Sequence, residues 1–355
     1  MLGDTHFDTK FPYSTSPDPM SDLFFLQSVK SFTEIIRYAA RNGFDILHAG
    51  DFFNEGSIGA PELAIVIQLL QGLQNKGIQM YVNLGNHDTE FIDKIPASIE
   101  SLAKMFPNIH VAERKSKWTV FPWYDYSVYM IPYCGEIKFN KVFEELMQTE
   151  IKSPAILCIH EDIKGVRMGS AQMKTGLSED AFCDVAAKRF NMIVCGHMHQ
   201  AYEATRSKVP LIVPGSTHAV DFRDEGIPKR FYEIIYSVAS LGRIIPHEID
   251  NQIYFKTIDA GDALKIEPRD LSKYFFRVRA PVGTDTALIK EKLGSSAGVE
   301  MEWGSRSVAP DLTGYERPKN VTMDEWLCVF AERKGYSYED YEEARDLNKV
   351  LFDGK

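Results

Sequence analysis

The stretch Met80-Tyr81-Val82-Asn83-Leu84-Gly85-Asn86-His87-Asp88 determines how the rest of the chain is interpreted. Its first five residues form a mostly apolar run that is typical of a buried strand. Gly85 then turns the backbone, and an amide, an imidazole and a carboxylate follow in three consecutive positions. Alone, such a loop is more often a turn with a polar cap than a functional site.

Four other stretches repeat this layout, in which a strand-like run leads into a loop that carries metal ligands. They are Gly3-Asp4-Thr5-His6, Gly50-Asp51, His160-Glu161-Asp162 and Gly196-His197-Met198-His199. Five such loops in one chain favour a single site over five unrelated turns. We therefore predict that the five loops form one two-metal phosphoesterase site.

The strands that end in these loops alternate with helices. Helical spacing of apolar residues predicts helices at about 22–42, capped by Ser21, and at 61–76, and apolar runs predict strands at 45–49 and 78–84. This alternation implies a mainly parallel sheet covered by helices, with ligands at the carboxyl ends of its strands. Later segments are predicted as helices near 96–106, 139–149 and 178–189, antiparallel strands within 109–131, and strands at 155–159, 192–195, 202–205, 211–213 and 231–236.

Beyond about residue 240 the ligand-type loops stop. Strand signals at 252–257 and 274–280, a helix near 285–293 and a strand at 299–303 predict a small βαβ-like unit. Two capping signatures near the end of the chain predict a pair of short helices. Their apolar stripes either dock on their own chain or present a surface to a partner.

The composition restricts the class of protein. The chain has 355 residues, of which 44% are apolar, which is enough for two domains with a sizeable core. Its net charge of −10 counts against autonomous tight binding to nucleic acid, although bound metals and a partner could supply positive charge. No apolar run approaches about 18 residues, no signal peptide opens the chain, and the cysteines form no CxxC pair. We expect a cytoplasmic protein in a reducing compartment.

Phosphodiester hydrolysis requires a nucleophile at neutral pH and a clamp for developing charge, and two divalent cations can supply both. Asp51 is the best candidate for a bridging carboxylate, because it stands alone after its glycine at the end of a central strand. The pairs Asp4/His6 and His197/His199 each have ligands two residues apart, so each pair either holds one metal or divides between two. Asp, Asn and His ligands without Cys favour Mn²⁺, Fe²⁺ or Zn²⁺.

His87 follows the predicted ligand Asn86 and is not needed for coordination. It could donate a proton to the leaving oxygen or stabilise the charge of the transition state. Asp88 could orient the imidazole, since a carboxylate partner favours a charged histidine. We predict His87 and Asp88 as the catalytic pair.

Other features have a structural interpretation that competes with the functional one. His48, His110 and His247 lie in or beside strand-like runs and are predicted to be structural. The basic loop 164–174 is either solvated surface or a contact for DNA beside the site. The aromatic cluster at 118–133 favours a core over a platform for stacking bases.

The five motifs, taken in order with His160 as the fourth, resemble those of the calcineurin-like metallophosphoesterases. Within that superfamily the chain is most similar to the SbcD-type nuclease subunit of the DNA double-strand-break repair complex, including its phage versions. Three features carry this narrower resemblance: Gly50-Asp51-Phe52-Phe53, the final Asp88 of the Gly-Asn-His-Asp motif, and Pro214-Gly215-Ser216 followed by Asp224-Glu225.

The resemblance implies an α/β fold of the four-layer metallophosphoesterase type, in which two mixed β-sheets are flanked by helices, over residues 1–240. It also implies a small α+β capping domain at 241–312 that helps to hold DNA. A C-terminal helical tail at 313–355 would dock on a partner ATPase.

The resemblance also assigns the ligands to two sets that share one carboxylate. They are Asp4, His6, Asp51 and His199 for one metal, and Asp51, Asn86, His160 and His197 for the other. His87 would be the catalytic histidine. The metals would be two Mn²⁺ ions, with Mg²⁺, Fe²⁺ or Zn²⁺ as alternatives.

The implied activity is exonuclease action on double-stranded DNA and endonuclease action on single strands. The implied partner is an SMC-like ATPase of the SbcC type, and we also expect a homodimer without membrane association. A phage-encoded chain would act in the cytoplasm of its host.

The sequence departs from the family pattern in two places. Some relatives have a second histidine where this chain has Asn54, which can hydrogen-bond a phosphate but cannot donate a proton as an imidazolium does. We predict Asn54, Arg167 and Lys174 as substrate-binding residues. Only Met1 and Leu2 precede the first motif, so its strand is either a stub that leaves Asp4 and His6 on a frayed terminus, or begins further upstream.

Two rival interpretations stay open. One is another phosphodiesterase of the superfamily, acting on nucleotides or small diesters without dependence on DNA length. The other is a non-catalytic scaffold that binds metal weakly and recruits partners through its tail.

Overall fold

Two β-sheets pack face to face and carry the ligand loops at the ends of their strands. The computed structural model describes residues 1–9, 22–55, 58–89, 98–168, 171–173, 175–204, 209–237, 240–250, 252–267, 274–280, 284–294 and 297–298. These residues belong to one compact unit.

The first sheet is built on three short parallel strands, β1 (Ile46–His48), β2 (Met80–Val82) and β3 (Ile109–Val111). The start of the chain runs beside β1, where Leu2 and His48 form a parallel bridge. On its other side, Met1 exchanges backbone hydrogen bonds of 2.8 and 2.9 Å with Tyr232.

Tyr232 belongs to an antiparallel pair of strands, β14 (Arg230–Ser237) and β15 (Ser240–Glu248). The residues before Asp4 are therefore bonded on both sides, and Leu2 is fully buried. A frayed start is the wrong expectation. β15 was not predicted at all.

The second sheet has six strands, in the spatial order β12 (Tyr202–Ala204), β13 (Leu211–Val213), β11 (Met192–Gly196), β6 (Ala155–His160), β5 (Tyr126–Met130) and β4 (Thr119–Trp123). Its inner strands are parallel, and its two edge strands pair antiparallel with their neighbours. The antiparallel prediction for 109–131 is confirmed for β4 and β5, whereas β3 is a parallel strand of the first sheet.

Helices cover the outer faces of both sheets. Residues of α1 (Leu23–Asn42) and α2 (Ala60–Asn75) form one core cluster with the first sheet, and those of α5 (Glu136–Gln148) and α6 (Glu179–Ala186) form another with the second. Two shorter helices, α3 (Asn86–Thr89) and α4 (Ser98–Ala103), follow β2.

Strand β6 shows how the sheets are sandwiched. Leu157 and Ile159 pack with α5 and α6, whereas Ile156 and Cys158 join a third core cluster between the two sheets. Alternate residues of one strand thus fill two different cores, as expected for a strand buried on both faces. The predicted arrangement of mixed sheets flanked by helices is confirmed.

The ends of α1 show one correct and one wrong prediction. Asp22, not Ser21, caps the helix, because its side chain accepts the N–H groups of Phe24 and Phe25 at 2.9 and 3.3 Å. The helix ends at Asn42, the predicted limit, and is followed by Gly43 with a φ of 68° that favours glycine.

A smaller parallel sheet follows the sandwich. It consists of β16 (Tyr254–Asp259), β17 (Tyr274–Arg279) and β18 (Ala297–Gly298), accompanied by α7 (Ala260–Ala263) and α8 (Thr286–Leu293). Phe24 of α1 stacks on Phe275 with ring centroids 4.3 Å apart, which joins this unit to the sandwich. The predicted strand at 299–303 and the tail at 313–355 lie outside the described residues, and the domain limits at 240 and 312 stay predictions.

None of the helices in the described part of the chain is long and apolar enough to cross a membrane.

Candidate metal centre

The five ligand loops converge on one place, as their positions after strand ends predict. Loops after β1, β2, β6 and β11 and the loop after Gly3 contribute side chains to three groups whose potential ligand atoms lie within 4.8 Å of one another. The groups are Asp4, His6 and His199; His6, Asp51 and His87; and Asp51, His160 and His197.

One set of atoms gathers around the side-chain oxygen of Asn86. This Oδ1 lies 3.2 Å from Nε2 of His160 and 2.8 Å from Nδ1 of His197. Oδ2 of Asp51 lies 3.1 Å from the same His160 nitrogen. These four residues are the set predicted for the second metal.

The tautomer of His160 suits this position. Its Nδ1 lies 2.9 Å from the carbonyl oxygen of Ala49. A carbonyl only accepts hydrogen bonds, so Nδ1 carries a proton and Nε2 is the nitrogen left to bind a metal.

The other set gathers around His6. Asp4, His6 and His199 offer ligand atoms within 4.8 Å of one another, and the rings of the two histidines have centroids 5.0 Å apart. Nε2 of His6 lies 3.8 Å from Oδ2 of Asp51. Asp51 therefore approaches both sets through one carboxylate oxygen, which is the place predicted for the bridging ligand.

Buried polar atoms in the first set fit a bound cation. Oδ2 of Asp4 and both ring nitrogens of His6 are buried and have no hydrogen-bond partner among the described residues. Burial raises the pKa of Asp4 to about 8 and lowers the pKa of His6 to about 3. The neutral His6 imidazole has a lone pair free for a metal, and the buried Asp4 carboxyl group needs a nearby positive charge in order to ionise. Together they suit a divalent cation.

The second set contains an ion pair. Burial favours the neutral forms, but the charge and hydrogen bond of His160 hold the pKa of Asp51 far below its usual range. Burial likewise lowers the pKa of His160, but the nearby Asp51 and Asp4 outweigh it and raise this pKa to about 10. Because a ligand imidazole must be neutral, His160 would have to give up its Nε2 proton to hold a metal here.

The backbone is strained at the ligands. Asp4, His6, Asp51 and His197 have φ angles of 48°, 40°, 55° and 85°, in the left-handed region. Each such residue costs about 1–3 kcal/mol and persists only where the surrounding structure enforces it. Among the described non-glycine residues with positive φ, Tyr124 alone is not a predicted ligand. The concentration of strain at these positions indicates a functional constraint.

His87 lies beside both sets but has a different partner from the one predicted. Its Nδ1 is 2.6 Å from the backbone carbonyl oxygen of Asn54. The Asp88 carboxylate instead accepts the backbone N–H groups of Gly85 at 3.0 Å and Phe52 at 3.3 Å. The prediction that Asp88 orients the His87 imidazole is wrong, because Asp88 serves the backbone of the two loops.

Two carboxylates outside the predicted ligand sets, Asp162 and Asp224, lie near ligand histidines. Asp162 Oδ1 is 3.0 Å from Nε2 of His197, and Asp224 Oδ2 is 4.0 Å from Nδ1 of His199. Asp162 is at hydrogen-bond distance and can orient the His197 imidazole, whereas Asp224 is too far from His199 for a hydrogen bond. Asp162 could have been found from the sequence, because it follows the ligand His160 by two residues.

Lys229 is a further buried residue that the sequence did not indicate. Its Nζ pairs with Asp224 at 2.9 Å and donates to the backbone carbonyl of His199 at 3.1 Å. This contact ties the last ligand loop to the start of β14. A buried lysine has no distinguishing signal in a single sequence, because most lysines are exposed.

The predicted substrate-binding residues are only partly placed. Asn54 is half-buried beside His87. Arg167 lies in β8 (Arg167–Met168), which pairs with β9 (Ala171–Gln172), while β7 (Ile163–Lys164) pairs with β10 (Leu177–Ser178). The side chain of Arg167 and all of Lys174 lie outside the described residues, so their binding roles stay predictions.

The three histidines predicted to be structural have partners other than the ligands. His48 contacts the Thr5 hydroxyl at 3.1 Å, His110 contacts Gln79 at 3.0 Å, and His247 pairs with Glu233 at 2.9 Å.

Replacing Gly196 by alanine is expected to destabilise the fold by about 1–3 kcal/mol and to weaken metal binding. The added methyl group would lie 2.4 Å from the Ala49 carbonyl oxygen and 2.6 Å from Nδ1 of His160. It would therefore push the end of β11 away from the residue that follows β1, and tilt a ligand whose orientation depends on that carbonyl. Chemical denaturation and calorimetric metal titration measure the two effects.

The control is Gly72→Ala in α2, where an added methyl group meets no atom within 4 Å. Alanine is favoured over glycine in helices by about 1 kcal/mol. This variant should be at least as stable as the wild type. A Gly196→Ala protein as stable as the control would contradict the close approach seen here.

The four-layer fold and the paired His/Asp clusters at its strand ends define a metallophosphoesterase. The chain belongs to the calcineurin-like phosphoesterase family, whose sequence model matches residues 1–201.

Similarity to individual proteins is more distant. The chain is 23% identical over 209 residues to exonuclease subunit 1 of Enterobacteria phage T4, which covers 58% of this chain and 57% of that protein. It thus spans less than two thirds of that relative's length. Among solved structures, phosphopantetheinyl hydrolase from Mycobacterium tuberculosis has a TM-score of 0.36 at 11% identity, covering 60% of this chain and 87% of that one. A structure from Thermus thermophilus has a TM-score of 0.37 at 10% identity, covering 63% of this chain and 94% of that one.

Proposed function

We propose that this chain is the Mn²⁺-dependent nuclease subunit of a DNA repair or recombination complex. The proposal depends chiefly on the two ligand sets that share Asp51, with His87 beside them and hydrogen-bonded, within the described part of the chain, through one ring nitrogen. The similarity to exonuclease subunit 1 of phage T4 supports DNA as the substrate. Exonuclease action on duplex DNA and endonuclease action on single strands belong to this proposal.

The residues of the site have two separate roles in hydrolysis, which are metal binding and proton transfer. When bound, the two cations supply the nucleophile and neutralise charge on the phosphoryl group. Asp4, His6, Asp51 and His199 would hold one cation, and Asp51, Asn86, His160 and His197 the other. The free nitrogen of His87 would donate a proton to the leaving oxygen or stabilise the transition-state charge.

An acidic nuclease benefits from a partner. With a net charge of −10, the chain has little long-range attraction for DNA outside its metals. An SMC-like ATPase of the SbcC type would supply additional DNA contacts, and a homodimer would present two sites. We propose both associations, together with action in the cytoplasm.

The test is digestion of end-labelled duplex and single-stranded DNA by the purified chain, with Mn²⁺ or with a chelator. We expect Mn²⁺-dependent shortening of the duplex from its ends and internal cleavage of the single strand. Asp51→Asn protein purified in parallel controls for contaminating nucleases and should leave both substrates intact. Mg²⁺, Fe²⁺ and Zn²⁺ compared at equal concentration then rank the metals.

The same samples separate the rival interpretations. A protein that leaves all DNA intact, with or without the ATPase, but hydrolyses bis(p-nitrophenyl) phosphate acts on small diesters, and the nuclease proposal fails. A protein that cleaves neither substrate with two metals bound is a scaffold.

A further inference from the structure

Asp8 connects the first ligand loop to the loop that follows Asp51. It lies two residues beyond His6 and belongs to none of the three ligand groups. Its carboxylate accepts two successive backbone N–H groups, that of Asn54 through Oδ1 and that of Glu55 through Oδ2 at 3.1 Å. Two charge-assisted hydrogen bonds to adjacent amides fix the backbone at this point.

The peptide unit between Asn54 and Glu55 is held from both sides. Its N–H group, from Glu55, donates to Asp8. Its C=O group, from Asn54, accepts from Nδ1 of His87 at 2.6 Å. A peptide unit is planar and rigid, so fixing the N–H direction fixes the direction of the carbonyl oxygen. Hydrogen bonds that run in series through a peptide also polarise one another, which strengthens the carbonyl as an acceptor.

The carbonyl determines the state of the His87 ring. Because a carbonyl only accepts, Nδ1 of His87 must carry a proton. Nε2 is then the nitrogen left for chemistry, and the same hydrogen bond sets the orientation of the ring. The His87 backbone is held separately, because its N–H donates to Oδ1 of Asp51 at 2.9 Å.

We propose that Asp8 is a positioning residue for His87, acting through the Asn54–Glu55 peptide unit to keep the Nδ1–H tautomer and leave Nε2 for chemistry. The proposal rests on the proposed function, in which His87 serves phosphodiester hydrolysis. The carboxylate partner expected for His87 thus exists, but it is Asp8 rather than Asp88, and a backbone peptide lies between the two side chains.

Asp88 cannot replace Asp8 in this role. Asp88 accepts the amides of Phe52 and Phe53, at 3.3 and 3.4 Å, which precede the peptide unit that contacts His87. Removal of Asp8 would leave the N–H of that unit without a protein acceptor among the described residues. The Asn54 side chain has no part in the connection, because the contact is made by its backbone.

The experiment measures the His87 tautomer and turnover separately. Long-range ¹H–¹⁵N NMR on Zn²⁺-loaded protein labelled at histidine reports the tautomer without substrate, and His87→Gln identifies the signals. We expect the Nδ1–H pattern in the wild type and in Asn54→Ala, and its loss in Asp8→Ala. With Mn²⁺ and bis(p-nitrophenyl) phosphate, Asp8→Ala should lower kcat about 10- to 100-fold with KM and metal content unchanged.

Two further variants complete the design. Asp8→Asn has the same shape but one acceptor oxygen instead of two, so it should partly lose the Nδ1–H pattern and partly lower kcat. If Asp8→Ala does not fold, Asp8→Asn tests the positioning role instead. Asp45→Asn is the matched control, because Asp45 also accepts a backbone N–H, from Gln79 at 2.9 Å, but lies before β1 rather than after it. It should keep the wild-type kcat and tautomer.

The outcomes distinguish this proposal from the proposed function. A changed tautomer in Asp8→Ala supports the positioning role even if the wild type cleaves no phosphodiester, in which case only the proposed function fails. Wild-type tautomer and kcat in Asp8→Ala, or in Asp8→Asn where Asp8→Ala does not fold, overturn the positioning role while leaving the proposed function intact.

Discussion

Replacing His87 by alanine is expected to lower the rate of phosphodiester hydrolysis by about 10²- to 10⁴-fold while both metals stay bound. The magnitude is that of a lost general acid. His87 follows the ligand Asn86 at the start of α3, and its ring meets that of His6 edge to face with centroids 4.9 Å apart. Its Nδ1 donates to the Asn54 carbonyl, which leaves Nε2 for proton transfer. The substitution therefore removes a catalytic nitrogen as well as a structural hydrogen bond.

A competing interpretation makes His87 a ligand, since one of its nitrogens lies within 4.8 Å of ligand atoms of His6 and Asp51. Metal analysis of the purified variant, measured beside kcat and KM, separates the two roles. Two metals per chain, an unchanged KM and a reduced kcat indicate a group that acts in the transition state. Loss of one metal would instead assign His87 to coordination. His110→Ala, which removes a histidine bonded to Gln79 in the first sheet, should be as active as the wild type.

The place of the site was predictable because strand ends in a parallel sheet lie together. Asp51, Asn86 and His197 each follow a strand by one to four residues, His160 is the last residue of β6, and β1, β2, β6 and β11 are all parallel to a neighbour. The direction of each strand therefore decides at which edge of the sheet its loop lies, and the parallel direction of the strands follows from their alternation with helices. The alternation predicts only one sheet covered by helices, so the second sheet, and with it the four-layer arrangement, was predicted from the family resemblance alone.

The contacts within the site were less predictable, because they depend on side-chain direction across loops that are distant in sequence. Asp88 is adjacent to His87, yet it points to the amides of the Asp51 loop, while the effective partner, Asp8, lies 79 positions away through a backbone carbonyl. Sequence neighbours suggest side-chain pairs but not a connection through a peptide unit. The frayed start was wrong for a related reason, because the partner of Met1 is Tyr232.

Replacing Asp51 by asparagine is expected to have the largest effect of any single substitution, abolishing tight binding of both metals and lowering hydrolysis by at least about 10³-fold. Oδ2 of Asp51 lies 3.1 Å from His160 and 3.8 Å from His6, so one oxygen serves both sets. Removing one partner of a buried ion pair costs about 3–5 kcal/mol. For each metal, that cost corresponds to at least about 10²-fold weaker binding.

Asparagine is a close test because it preserves the shape of the side chain and can still accept the N–H of His87, which donates to Oδ1 of Asp51 at 2.9 Å. The loss should therefore come from charge rather than from collapse of the loop. Without the carboxylate, the pKa of His160 falls from its raised value of about 10, because Asp51 is the main group that raises it against burial. Calorimetric Mn²⁺ titration should show two tight sites in the wild type and in Asp45→Asn, and none in Asp51→Asn. A single surviving tight site would mean that Asp51 belongs to one metal only, and the shared carboxylate would have to be sought in Asp4, the other buried carboxyl group of the two sets.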